Sequence, residues 1–296
     1  MCKKIMPKWI KSVSFVFLIS PFLSVSFAAQ NEAQNAYIFG IHPYLTAKEL
    51  LERFTPLMNY LSDELDKPVV LRVAKTYANH IQRVGEDKVD MAYLGPAPYV
   101  KLVENFGQKH LLAKIQVAGK STFRGAIIVS QDSQIKTLTD LRGKGFAFGS
   151  PNSTMSHFVP RFVLWQAGMT VAQLSHYQFI KSHENVVLGV LLGEFEAGAI
   201  KKDIFNRYAQ QGIKVLTWTP PITVHLFVAT HRFPQQQREK LRQLFLNLNE
   251  HPKGKTILTS IKKSITGVTK VDDQDYNELR YILRTVEQLK SQEKSR

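Results

Sequence analysis

The chain has 296 residues, with 39 Lys+Arg against 24 Asp+Glu for a net charge of +15, and a single cysteine. That length is ample for two lobes with cores of their own, and the basic field favours anionic partners. The basic residues are dispersed, without a Lys/Arg run interleaved with aromatics, which excludes a nucleic-acid groove, and Cys2 alone supports neither a disulfide nor thiolate chemistry.

The first elements concern export. Lys3, Lys4, Lys8 and Lys11 form a positive leader, an apolar run follows over residues 12–25, and Ser26-Phe27-Ala28 supplies small residues where signal peptidase reads. Residues 1–28 are therefore predicted to be a signal peptide cleaved after Ala28. The apolar run is shorter than the roughly 20 residues of a membrane-spanning helix, and no second long apolar segment appears after residue 30. Cys2 precedes the run, so it is no lipid-attachment site. Removing the four leader lysines leaves a mature charge of about +11.

Strand-like and helical runs then alternate. A first strand is predicted over 37–41 and a helix over 47–65, where Leu50, Leu51, Phe54, Leu57, Met58, Leu61 and Leu65 recur near helical spacing. Pro68 introduces a strand over 69–73; a helix over 77–84 and a strand over 90–94 follow, ending at Gly95-Pro96. Strands over 111–117 and 124–129 lead away from this unit. A second unit has a short helix at 137–141, a strand at 145–149, and a helix at 153–167 stopped by Gly168. A strand at 176–180, a helix at 184–192 and strands at 196–200 and 215–218 complete it, and 223–229 runs back. Helices are predicted over 235–248, 254–261 and 273–289, with a frayed charged tail after Leu289.

This alternation predicts an α/β fold with mostly parallel sheets, as two Rossmann-like lobes. Residues 29–120 with 224–296 form the first lobe and 121–223 the second. The chain crosses between them near 119–124 and 219–225, and two crossings make a hinge with a cleft. Ligands of such sheets bind beyond the carboxyl ends of the strands.

The sharpest local signal is Gly149-Ser150-Pro151-Asn152-Ser153-Thr154-Met155-Ser156. A strand ends in glycine, small hydroxyl and amide residues follow, and a helix begins; its free N–H groups and dipole favour an anion. Ser153 and Thr154 hydroxyls are candidate donors to that anion. Ser153 equally suits a simple cap, and spacing alone does not choose.

Asp140-Leu141-Arg142-Gly143-Lys144, Phe148-Gly149 and Pro151-Asn152-Ser153-Thr154 together resemble the phosphate/phosphite/phosphonate-binding proteins of ABC importers. Asp90-Met91-Ala92-Tyr93-Leu94-Gly95-Pro96 with Tyr99, Ser182-His183-Glu184, Glu196-Ala197-Gly198-Ala199 and Val271-Asp272-Asp273 with Asp275-Tyr276 extend the resemblance over roughly 37 to 288. Each motif is weak alone; their common order is specific. The resemblance implies the type II periplasmic-binding fold, with a two-segment hinge. It also implies an oxyanion held at Ser153 and Thr154, with His183 donating and Tyr77 lining the same pocket. Tyr93 is a further candidate. Family members often read Ser-Thr-Ser-Gly where this chain has Ser153-Thr154-Met155-Ser156, so Met155 and Ser156 alter the pocket floor. Aminophosphonate binders place a tyrosine where Phe123 stands and carboxylates around the ligand's ammonium, whereas His225 stands near one expected acid. That argues against 2-aminoethylphosphonate, although Asp203 near the same wall keeps it open.

Other residues are read more plainly. Tyr99 is assigned to packing, Tyr44 to cleft or packing alike, and Lys201 and Lys202 to a solvated surface. No cofactor is expected, and the remaining histidines lack metal-ligand spacing. No Gly-x-Ser-x-Gly elbow, P-loop or cysteine nucleophile is present, and Ser153 with His183 lacks an acidic orienter, so no enzyme activity is expected. The implied role is a monomeric periplasmic solute-binding protein that delivers a small oxyanion to ABC permease subunits. The alternative is an anion-sensing module for a receptor histidine kinase.

Overall fold

The computed structural model describes residues 35–294; the expected signal peptide lies outside them. Strand β1 (Tyr37–Ile41) leads into helix α1 (Ala47–Leu65), which Thr46 starts through a reciprocal capping box with Glu49. Leu50, Phe54, Leu57, Met58 and Leu61 form the buried face of α1, whereas Leu51 is turned to solvent. Strand β2 (Val69–Val73), helix α2 (Tyr77–Gly85), strand β3 (Met91–Leu94), helix α3 (Pro96–Phe106) and strand β4 (His110–Val117) complete the first run.

The short strand β5 (Thr122–Phe123) carries the chain onward to β6 (Gly125–Ser130), β7 (Gly145–Phe148) and a π turn at Thr154–Phe158. That turn runs into α4 (Val159–Gln166). Next come β8 (His176–Phe179), α5 (His183–Leu191), β9 (Ala197–Lys201), α6 (Lys202–Tyr208) and β10 (Ile213–Trp218). The return passes through β11 (Ile222–Thr223) into β12 (Leu226–Ala229). The chain finishes with α7 (Arg238–Leu246), α8 (Gly254–Ile261), β13 (Ile265–Thr269) and α9 (Asn277–Lys294).

Two sheets organise these elements: a six-stranded one in the order β13-β4-β12-β3-β1-β2 and a five-stranded one in the order β10-β6-β9-β7-β8. The α/β class is as the alternation predicts; the mostly parallel strand sense is not. β1 pairs in parallel with β2 and β3, and β7 with β8 and β9, but β12 inserts antiparallel between β3 and β4. β13 on β4, and β6 against β9 and β10, are antiparallel as well. The returning strands, β12 above all, come back into an existing sheet, and periodicity carries no information about their direction.

Each sheet is covered on both faces. Phe39, Phe54, Phe227 and Phe245 lie in the core between the larger sheet and α1, α7 and α8, while Tyr99, Leu279 and Ile282 lie on its other face. Phe146, Phe148 and Leu164 fill one side of the smaller sheet, and Val186, Val190 and Ile204 the other. Between the sheets, β5 and β11 pair antiparallel as a two-stranded ribbon, Thr122 opposite Thr223 and Phe123 opposite Ile222. The lead-in to α9 braces the returning strand: Thr223 Oγ1 donates to the Asp275 carbonyl at 2.7 Å and the Tyr276 hydroxyl to the Val224 carbonyl at 3.1 Å. The Val271–Tyr276 motif therefore supports the crossing between sheets.

Three expectations about elements are corrected. The helix predicted over 153–167 begins as a π turn, with the Phe158 amide reaching the Ser153 carbonyl at 3.2 Å. Pro160 explains this, because it has no N–H for the Ser156 carbonyl; that carbonyl accepts from the Gly149 amide at 3.1 Å instead. The segment 223–229 is broken between β11 and β12 rather than continuous. The tail after Leu289 is helical to Lys294, since Arg161 pairs with Glu293, and Lys290 bonds Glu287 at 3.1 Å and sits over the Phe158 ring. β13 and α6 were not anticipated; β13 is short and glycine-interrupted, and α6 spans about two turns.

Candidate functional site

Strands β1, β2, β3, β7, β8 and β9 all run into loops or helix starts that meet at one cavity. Tyr77 is the first residue of α2, after its cap Thr76; Gly95 caps α3; Ser153 caps the π turn; His183 is the first residue of α5, after its cap Ser182. All four line the cavity. Helix starts present unpaired N–H groups and the positive end of the backbone dipole, so their convergence makes a field for an anion. Thr154, Met155, Phe123 and His225 line the same space, as do His42 and Tyr44 beyond β1 and Lys201 at the end of β9.

The π turn shows Ser153 as a cap and leaves the ligand reading open to it. Its hydroxyl oxygen accepts the Ser156 amide at 3.2 Å, which is a cap, and the O–H proton stays available to a further acceptor. Thr154 Oγ1 accepts the Ala97 amide at 3.0 Å in a buried bond to the first turn of α3, again leaving its proton to donate. Among the described residues no acceptor faces the Thr154 and Met155 amides.

Ser156 is placed differently. Its hydroxyl donates to the Ala199 carbonyl at 2.5 Å and accepts from the Gly149 amide at 2.7 Å, behind the cavity wall and fully buried. A Cβ on Gly149 would meet Ser156 Oγ at 2.5 Å, so the glycine makes room for this bond. Met155 packs its side chain beneath the wall, where Thr219 Oγ1 approaches Sδ at 3.6 Å.

Aromatic and imidazole rings form the opposite wall. His225 stacks on Tyr93 at 5.1 Å with 17° between the planes, and Phe123 lies 5.4 Å from His225. Tyr93 is buried behind His225 and lines the neighbouring cavity rather than this one. His42 contacts Tyr77 at 4.6 Å and Tyr44 at 5.1 Å. Burial, then the nearby Lys201 charge, lowers His183 to about 3; burial, Lys201 and Lys262 lower His225 to about 3 as well. Both are therefore neutral at pH 7, each with one donor and one acceptor nitrogen. Nδ1 of His183 and Nδ1 of His42 are buried without a hydrogen-bond partner.

Lys201 corrects the sequence reading most sharply. It is 8% exposed rather than solvated, with Nζ 4.5 Å above the Tyr44 ring and 3.9 Å from Asp203. Lys262, after α8, reaches the same carboxylate at 3.3 Å. Burial alone would raise the Asp203 pKa, yet the two lysines hold it well below the usual carboxylate range. Lys202 is exposed, as expected. A signal for Lys201 was available: it ends a strand of small apolar residues, Ala197-Gly198-Ala199-Ile200, at the carboxyl edge where ligands bind. Tyr99 is a packing residue, fully buried with its hydroxyl donating to Asp273 at 2.6 Å. Among the described residues no group of His, Cys, Asp and Glu is arranged to hold a metal.

Comparison with known proteins bears on the family and the fold. Residues 39–276 match the family described as the periplasmic substrate-binding protein of phosphonate ABC transporters. The phosphonates-binding periplasmic protein of Escherichia coli K12 is 24% identical over 261 residues, covering 85% of this chain and 77% of that protein. A probable phosphite-binding protein of an ABC transporter in Prochlorococcus marinus MIT 9301 is 25% identical, covering 79% of this chain and 84% of its own length. The solved structure of PhnD1 from that organism, in complex with methylphosphonate, superposes with a TM-score of 0.78 at 21% identity. It covers 86% of this chain and 98% of that one, a likeness of fold.

Proposed function

Because the chain belongs to the family of periplasmic phosphonate-binding components of ABC transporters, we propose that it captures a small phosphonate-type oxyanion in this cavity and delivers it to an importer's membrane subunits. The family is one of binding proteins, not enzymes. The observation that carries the reading is the convergence of four helix starts, at Tyr77, Gly95, Ser153 and His183, on a single buried space.

In this reading the Thr154 and Met155 amides and the Ser153 and Thr154 hydroxyls hold the tetrahedral oxygens. His183 donates through an imidazole nitrogen, and the Tyr77 hydroxyl closes the rim. The lobes are 29–120 with 224–296 and 121–223, flexing about the β5–β11 ribbon. The ligand drives closure by touching both lobes, because only differential affinity for the closed form shifts such an equilibrium. Phosphate, phosphite and alkylphosphonates share the group that this site addresses.

A thermal-shift screen of the mature protein tests the reading. Phosphate, phosphite or methylphosphonate raises the melting temperature by linkage, and neutral solutes do not. Ser153→Ala with Thr154→Ala weakens binding at least about tenfold by calorimetry. Unchanged affinity in that folded double variant removes the π turn from the site.

A further inference from the structure

Next to the anion cavity lies a second one, and Tyr44, Phe123, Lys201 and His225 line both. Its charges do not balance. Arg53 is paired with Glu49 at 3.7 Å and Arg207 with Glu184 at 3.5 Å, one cation to one carboxylate. Lys201 and Lys262 instead share Asp203, at 3.9 and 3.3 Å, which leaves one positive charge over. Asp203 is the one carboxylate lining either cavity among the described residues, and both lysines already flank it. The Phe123 ring on this wall offers no acceptor. Lys201, nearly enclosed and held over Tyr44, lines both spaces.

A ligand gripped at Ser153 and Thr154 thus projects its substituent toward a surplus cation, where the one carboxylate that could meet an ammonium is already flanked by two lysines. We propose that the substituent is itself acidic: the site takes a phosphonate bearing a carboxylate on a short chain, with Lys201 as the partner of that second group. This rests on the anion-site reading above and names its substrate class. Lys262 contributes by competing for Asp203, which leaves Lys201 the less neutralised of the two.

Calorimetry with methylphosphonate, phosphonoacetate, 3-phosphonopropionate and 2-aminoethylphosphonate tests it. At least one phosphonocarboxylate binds about tenfold or more tighter than methylphosphonate, and 2-aminoethylphosphonate binds weakest. Lys201→Gln removes most of that ratio, while Asp203→Asn, which frees Lys201, enlarges it. Lys262→Gln supplies the same comparison if Lys201→Gln does not fold, because Asp203 then neutralises Lys201 and the ratio falls. The proposal is overturned by phosphonocarboxylates no tighter than methylphosphonate, by 2-aminoethylphosphonate as the tightest ligand, or by a ratio that neither lysine variant changes. Methylphosphonate binding alone overturns this inference only; failure of every phosphonate to bind overturns the anion site with it.

Discussion

Thr154 Oγ1 accepts the amide hydrogen of Ala97 at 3.0 Å, a buried bond that joins the π turn of the smaller sheet's unit to the first turn of α3 on the larger sheet. One hydroxyl therefore accepts a hydrogen bond from α3 and, in the proposed anion site, has its own proton left to donate. Bringing the two elements together sets the donor in place.

Thr154→Val keeps the shape and removes both functions. The Ala97 amide is left buried without an acceptor, so stability falls by about 1–3 kcal/mol, and anion affinity drops. Thr154→Ser retains the oxygen and loses little of either. Urea denaturation and calorimetry on the pair separate the two effects; equal affinity in both variants would remove Thr154 from the site.

Ser156→Ala behaves in the opposite way. Gly149 N–H and the Ala199 carbonyl lose their shared partner, which costs about 1–3 kcal/mol of stability. Affinity for methylphosphonate stays within about twofold, since the hydroxyl faces away from the ligand. A tenfold affinity loss at full stability would place Ser156 in the site after all.

Stability depends on pH through the buried histidines. Burial is the first cause in each case: it holds His42 and His157 well below 6.5, His80 at about 4, and His183 and His225 at about 3. Unfolding restores the ordinary value near 6.5, so below that pH the unfolded chain binds protons that the folded chain refuses. Stability is thus full above 6.5 and is lost as pH falls toward 3, at up to about 1.4 kcal/mol per pH unit for each such histidine. Melting temperature measured from pH 7 to 4.5 declines, and His225→Gln makes the decline shallower. A flat profile would show that these rings are hydrated in solution.

The C-terminal helix gives a fourth test. Arg161 is 4% exposed and pairs with Glu293 near the chain's end. Glu293→Ala strands that guanidinium and lowers stability by about 1.5–3 kcal/mol, with faster amide exchange over 287–294. Unchanged exchange would return the tail to the frayed state that its composition suggests.

Much of the site was legible because it lies at junctions. A strand that stops at Phe148-Gly149 and a helix that starts after Ser153 mark the same place in sequence and in space. The same holds for Tyr77 and His183 behind their Thr76 and Ser182 caps. What stayed hidden depends on long-range pairing. Lys201 reads as a surface lysine until β9 is set in mid-sheet between β6 and β7. Ser156 reads as part of the pocket floor until its hydroxyl is seen donating to the Ala199 carbonyl, forty-three residues on. Pro160 was visible in the sequence, but its effect on the turn before it needed the Gly149 amide as an alternative partner for Ser156.

The β5–β11 ribbon is built unequally. Its returning strand is pinned by Thr223 and the Tyr276 hydroxyl contact at Val224, whereas the outgoing strand has its pairing with that strand and the packing of the Phe123 ring beside His225. If the two sheets move about this ribbon, the outgoing strand is the one that gives and the returning strand serves as the axle. A lesion in the lead-in to α9, which reaches the cavity wall through the Val224 carbonyl, would then be felt as a change in how tightly the proposed site closes.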